Sequence, residues 1–257
     1  MVTNQKILYF NMIIKLLIEY DGTNYCGWQK QKNGVSIQGE IEKSLNKIFN
    51  KKINIFVAGR TDAGVHAIGQ VAHFDMNLDF KFSKILPALN HHLAKNNNKI
   101  IIKKTYKENK NFHSRFSAKE RIYEYRIINR KTPRPLEFNR EWHIPYFLDI
   151  FKMKKAAKLL TGKHDFDGFR SGQCQSSSSI RSIKSIDLKK VGYKITITFR
   201  AKSYLHNQVR IMMGSLVNVG RNFWDTEQIK KILNTKKRID AGPTAPPYGL
   251  YLKKIIY

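Results

Sequence analysis

The sequence predicts an α+β protein made of two ferredoxin-like halves, and three observations predict it. Strand-like and helix-like stretches interleave along all 257 residues. The interleaving in the first half recurs loosely after residue 115. The helical stretches are placed to cover one face of a sheet. A mixed or antiparallel sheet with helices on one face follows, with an active-site cleft between the halves.

The elements follow in order. Residues 1–11 precede a second methionine, Met12, and are read as a dispensable extension. The N-terminal α+β domain then spans 12–115. "MIIKLLIEY" reads as its first strand, and Asp21-Gly22 opens the loop "TNYCGWQKQKNG". Ser36 stands where an N-cap would, before "IQGEIEKSLNKIF". Ile37, Ile41, Leu45 and Ile48 form a helical core stripe there. "INIFV" reads as a strand, and so does "QVAHFDM". In the latter, Val71, His73 and Asp75 share one face and Ala72, Phe74 and Met76 the other. Gly59, Gly64 and Gly69 punctuate the stretch between, so Asp62 falls in a loop. "SKILPALNHHLA" reads as a broken helix and "KIIIKKTYK" as a strand.

The C-terminal α+β domain spans 116–257. "RIYEYRIINR" reads as a strand with alternating faces. "FKMKKAAKLLTG" is a helix with Met153, Ala156, Ala157 and Leu160 inward and Gly162 as its stop. "SIKSIDLKKVGYKITITFRAK" is a hairpin around Gly192, with Ile195, Ile197, Phe199 and Ala201 on one face. "LHNQVRIMMGSLVNVG" and "TEQIKKILNT" are helices, and "GLYLKKII" closes as a strand.

Composition narrows the partners. Lys plus Arg number 47 against 19 acids, a formal net charge of +28. Such a surface attracts polyanions, and nucleic acid is the first candidate. A lysine-rich genome bias would also raise the charge. No apolar run approaches the roughly 20 residues that span a bilayer, and no signal-peptide pattern opens the chain. Cys26 and Cys174 form no CxxC pair, which fits a reducing cytoplasm. His91 and His92 would point about 100° apart on a helix, poor geometry for a shared metal. No metal site is read. The sequence contains no G-x-x-x-x-G-K-[ST] or G-x-G-x-x-G phosphate motif and no G-x-S-x-G nucleophile elbow. What remains is an acid in a glycine-rich loop, several arginines and tyrosines, and a positive field. Taken alone, Asp62 reads as a solvated turn acid or as a reactive group.

"AGRTDAGVHAIGQVAHF" closely resembles the signature of the TruA family of tRNA pseudouridine synthases. "IEYDGTNYCGWQKQ", "NFHSRFSAKERIYEYRI", "DFDGFRSGQCQSSSSIRSI", "LHNQVRIMMGSLVNVG" and "GPTAPPYGLYL" resemble its other motifs, in the same order. The resemblance covers nearly the whole chain from Met12. It implies the pseudouridine synthase fold and the isomerisation of uridine to pseudouridine at positions 38, 39 and 40 of the tRNA anticodon stem-loop. The uracil leaves C1′, turns and rejoins through C5, with no redox change or net hydrolysis. The resemblance therefore implies no cofactor and no metal.

By the same resemblance Asp62 is the catalytic aspartate, attacking at C1′ or C6. Arg60 matches the arginine that helps extrude the target base; its plain alternative is a phosphate or carbonyl contact. Tyr123 matches the tyrosine that stacks on the uracil, against the alternative of a core aromatic. Arg210 matches the arginine that pairs with the aspartate, against that of a snorkelling helix residue. Its neighbours are apolar, and Gly214, one turn on, is expected to leave it room. Arg115 is expected to bind phosphate or organise the strand junction, and Leu250 to wall the pocket. His66 and His73 are expected to satisfy local hydrogen bonds.

Two positions depart from the family pattern: Ile122 where a basic residue is common, and Gln208 where methionine is usual. The resemblance also implies a homodimer. The competing readings are a basic RNA-binding protein without catalysis and a pseudouridine synthase acting on another RNA.

Overall fold

The computed structural model describes residues 12–32, 34–76 and 80–257. The expected N-terminal extension lies outside them. The first element of the described residues is β1 (Met12–Tyr20), whose Ile14, Leu16 and Ile18 are fully buried. Helix α1 (Ile37–Phe49) starts at the expected Ser36, whose hydroxyl accepts the Gly39 amide at 3.1 Å. Ile37, Ile41 and Leu45 of the expected stripe lie in the core, while Ile48 is only half-buried against it.

The expected strand over 53–57 shrinks to β2 (Phe56–Val57). The cause is local. The Ile53 amide bonds the Asn46 side chain at 2.7 Å and the Ile55 amide bonds the Glu42 carboxylate at 3.1 Å. Helix α1 thus takes the donors that a neighbouring strand would have used.

Strand β3 (His66–Met76) is longer than its alternating part, because both faces of its first half are buried. Helix α2 (Phe82–Lys95) is continuous, not broken. Pro87 sits inside it, and the buried stripe Ile85, Leu89 and Leu93 holds the turns on either side to the sheet. Strand β4 (Ile100–Glu108) follows.

After the connection that contains residue 115 come β5 (Glu120–Asn129), the short β6 (Trp142–Ile144) and α3 (Ile150–Leu159). Met153, Ala156, Ala157 and Leu160 are buried as expected. Gly162, at φ +98°, opens β7 (Gly162–Asp165). The hairpin β8 (Ile180–Val191) and β9 (Lys194–Ala201) turns at Gly192, φ +57°. Helices α4 (Gln208–Gly220) and α5 (Glu227–Thr235) follow, and β10 (Leu250–Ile256) ends the chain. The short β6 and β7 carry too few residues for a legible period, and the sequence did not predict them.

The ten strands form one mixed sheet in the order β4-β1-β3-β10-β5-β9-β8-β7, with β2 on β3 and β6 on β5. The last strand is the seam. β10 runs antiparallel to β5 and parallel to β3, pairing Tyr251 with His66 and Leu252 with Ala67. This fits the predicted α+β class with a mixed sheet. The Asp62 loop enters β3, Tyr123 lies on β5, and β10 brings them side by side.

Candidate active site

The Asp62 loop is held from below by its neighbours. Thr61 is buried, and its hydroxyl lies 2.7 Å from the Tyr20 hydroxyl. Its carbonyl accepts the Trp28 amide at 3.0 Å. The loop closes when the Val65 amide reaches the Asp62 carbonyl at 3.2 Å. Two glycines of the first loop permit this approach. A Cβ on Gly22 would lie 2.1 Å from the Val65 carbonyl oxygen, and one on Gly27 would lie 2.7 Å from that of Thr61. With Thr61 anchored inward, Asp62 projects the other way and keeps about a quarter of its side chain exposed.

The carboxylate meets the start of α4. Arg210 Nη1 lies 3.3 Å from Asp62 Oδ2, and His206 Nε2 lies 3.4 Å from Oδ1. The guanidinium is not a two-pronged fork on the acid. Its Nε donates to the Ala245 carbonyl at 2.8 Å, and Nη1 also reaches Asn207 Oδ1 at 2.9 Å. Arg210 is thus fixed by three partners, with one nitrogen left on the carboxylate. Gly214 does not make room for it. A Cβ there would sit 1.8 Å from the Pro243 carbonyl oxygen, so this glycine admits the backbone of the 242–245 segment. His206 was not singled out in the sequence. Its hydrogen bond to Asp62 raises its pKa, with burial opposing and the carboxylate charge adding. Its linear signal was its place inside the family-like stretch "LHNQVR", four residues before Arg210.

Tyr123 lies in β5 opposite Leu252 and Phe199, 8% exposed. Its ring meets Tyr204 edge-on, centroids 5.2 Å apart. Burial raises its hydroxyl pKa, and the nearby Tyr20 and Asp62 raise it further. Leu250 stands opposite Tyr125, two residues from Leu252, and therefore on the same sheet face as Tyr123. Arg60 is exposed in the turn before Asp62 and enters no ion pair among the described residues. Arg115 is also exposed, its guanidinium 5.5 Å from the Phe116 ring centre.

His66 and His73 are occupied locally, as expected. His66 Nδ1 accepts the Gly22 amide at 3.1 Å and its Nε2 lies 3.0 Å from the Asn139 carbonyl. His73 Nδ1 lies 2.8 Å from the Ser114 hydroxyl. Among the described residues no three His, Cys, Asp or Glu side chains gather as a metal site would require. None of the helices is long and apolar enough to cross a membrane, again among the described residues.

The residue pattern of a family described as "tRNA pseudouridine synthase" matches residues 16–117 and 156–257. The chain belongs to that family. Asp62, Arg60, Arg115, Arg210 and Leu250 fall inside the matched segments, and Tyr123 falls between them. The tRNA pseudouridine synthase A of Wolbachia pipientis wMel is 47% identical over 247 residues, 96% of this chain and 100% of that protein. That of Ehrlichia canis (strain Jake) is 45% identical over 248 residues, with the same coverage. That of Paramagnetospirillum magneticum is 42% identical over 243 residues, 95% of this chain and 94% of that protein. Membership makes the chain an isomerase with a pseudouridine synthase fold.

Proposed function

We propose that this chain isomerises uridine to pseudouridine at positions 38, 39 and 40 of the tRNA anticodon stem-loop, with Asp62 as nucleophile. tRNA pseudouridylation itself is the activity that the family and the relatives' names support. The observation that carries the catalytic part is Asp62: a partly exposed carboxylate held by Arg210 and His206 beside a buried tyrosine.

The chemistry suits that arrangement. Attack by Asp62 Oδ at C1′ forms a C1′–O bond as the C1′–N1 pair leaves with uracil. Attack at C6 is the other route open to a carboxylate. The base turns, C5 bonds C1′, Asp62 departs, and the C5 proton is exchanged for one on N1. The product has the formula of the substrate. Tyr123 supplies a flat wall for the turning uracil and Leu250 continues it. Arg60, exposed and unpaired among the described residues, is free to enter the helix space that an extruded base leaves. Such extrusion costs a few kcal/mol, which contacts of this kind offset. Arg115 serves a phosphate near the mouth, and Arg210 holds the carboxylate. The working unit is a homodimer in the cytoplasm; a sedimentation mass near 30 kDa at micromolar concentration would remove the dimer.

The deciding test uses Asp62→Asn and tRNA tritiated at uridine C5. The two side chains are nearly isosteric, so the loop should keep its shape. Single-turnover tritium release should vanish while filter binding of tRNA stays at wild-type affinity. Substantial release by Asp62→Asn would sink the nucleophile assignment. Mapping the product to a position outside the anticodon stem-loop would sink the site assignment instead.

A further inference from the structure

Arg121 is a buried arginine that forms no ion pair among the described residues. It lies in β5 two residues before Tyr123 and is 8% exposed. The titratable groups that act on it are Tyr123, Tyr257 and Arg115, with no carboxylate among them. In a chain with 47 basic residues, the surface could have taken another cation at no desolvation cost. Among the described residues the guanidinium instead donates only to backbone. Nε and Nη2 both reach the Ala58 carbonyl, at 3.0 and 2.6 Å. Nη2 also reaches the Arg115 carbonyl at 2.9 Å, and Nη1 reaches the Lys202 carbonyl.

Those three carbonyls belong to three different segments. Ala58 stands two residues before Arg60 and four before Asp62. Lys202 stands four before His206, on the link from β9 to α4. Arg115 is itself the exposed arginine assigned to the RNA. Arg121 joins all three at one point; the Ser114 hydroxyl, which donates to the Phe56 carbonyl at 2.6 Å, links two of them. A Cβ on Gly59 would lie 3.5 Å from Arg121 Nε and 3.9 Å from the Tyr123 hydroxyl, so both side chains face this glycine of the Asp62 loop. A planar fork with five N–H groups reaches three carbonyls from three nitrogens in fixed directions, whereas an ammonium must donate from one nitrogen.

We propose that Arg121 is a positioning residue. It sets the spacing between the Asp62 loop, the His206–Arg210 segment and the Arg115 loop without touching the substrate. The proposal rests on the assignment of Asp62 above. Binding of tRNA draws on many phosphate contacts and tolerates a shift of this spacing. Attack by Asp62 does not, because a misplacement of about 1 Å can cost a hundredfold in rate.

The experiment compares wild type, Arg121→Lys and Asp62→Asn by single-turnover tritium release and by tRNA filter binding. Arg121→Lys keeps the charge but offers a single point of donation. Its rate should fall roughly tenfold or more, while its Kd for tRNA stays within about threefold of wild type. The deficit should persist at temperatures far below its melting point, which a merely structural role would not produce. A rate within about threefold of wild type overturns the proposal. So does a rate loss matched by an equal loss of binding, or one that tracks the unfolded fraction. If Arg121→Lys does not fold, Arg121→Gln is read by the same split; failure of both to fold also overturns the proposal, leaving a scaffold role. Asp62→Asn separates the two ideas. Tritium release by that variant removes the Asp62 assignment whatever Arg121→Lys does.

Discussion

At the scale of single residues the site is an acid shared between two cations of different kinds. One is a guanidinium, and the other, His206, is charged only when protonated. The bond to Asp62 comes first among the causes that raise the His206 pKa. In an NMR titration His206 should therefore read above the ordinary value of about 6.5. In Asp62→Asn it should fall back toward that value. The pair's stability contribution is full below about pH 6.5 and is lost as pH rises through the higher folded-state value. Both groups are partly exposed, so salt will weaken it. An unshifted His206 in the wild type would show that the contact does not persist in solution. Arg210 is anchored by Ala245 and Asn207 as well as Asp62. Arg210→Lys cannot meet all three, and its single-turnover rate should fall roughly tenfold or more, equal to about 1.4 kcal/mol of barrier. Near-normal turnover would show that the position needs only a charge.

At the scale of elements, α4 is placed by an interlock of glycines. Gly214 faces the Pro243 carbonyl, and Gly242 lies so close that a Cβ on it would meet the Ser215 amide at 2.5 Å. The Gly242 amide donates to Ser215 Oγ at 2.9 Å, and the Ala245 amide to the Arg210 carbonyl at 3.1 Å. This contact carries Arg210 to its place. Gly214→Ala should cost about 1–3 kcal/mol or more, the range for overpacking. It should lower the denaturant midpoint and, by shifting the 242–245 segment, lower turnover too. An unchanged midpoint would mean that α4 does not pack this closely. The helix was legible from its apolar run, but the segment facing Gly214 was not, because "GPTA" has no period and its partner lies about one-tenth of the chain away. The same limit applies to α2. Pro87 read as a break, yet packing of Ile85, Leu89 and Leu93 on the sheet keeps the helix whole.

At the scale of the whole molecule, charge and fold separate. The net charge of +28 sets how tRNA is attracted, not where the reaction occurs. Each neutralised phosphate contributes roughly −0.7 to −0.9 to the slope of log affinity against log salt, so contact with several should give a slope steeper than about −3. A slope near zero, measured by filter binding across salt concentrations, would refute an electrostatic basis for binding.

The sequence by itself determined the α+β class, most strands and helices, the loop that bears Asp62, and the family. These follow from local periodicity, glycine spacing and motifs that lie within a few residues of one another. Only the tertiary structure decided that β10 pairs with both β3 and β5, that His206 shares the carboxylate, and that Arg121 bonds the carbonyls of three segments. Each of these joins residues far apart in the chain, Asp62 to His206 and Arg210, Arg121 to Ala58 and Lys202. A histidine or arginine in a basic sequence looks the same whether solvated or buried. What distinguishes them is which carboxylate or carbonyl the fold brings within about 3 Å, the reach of a hydrogen bond.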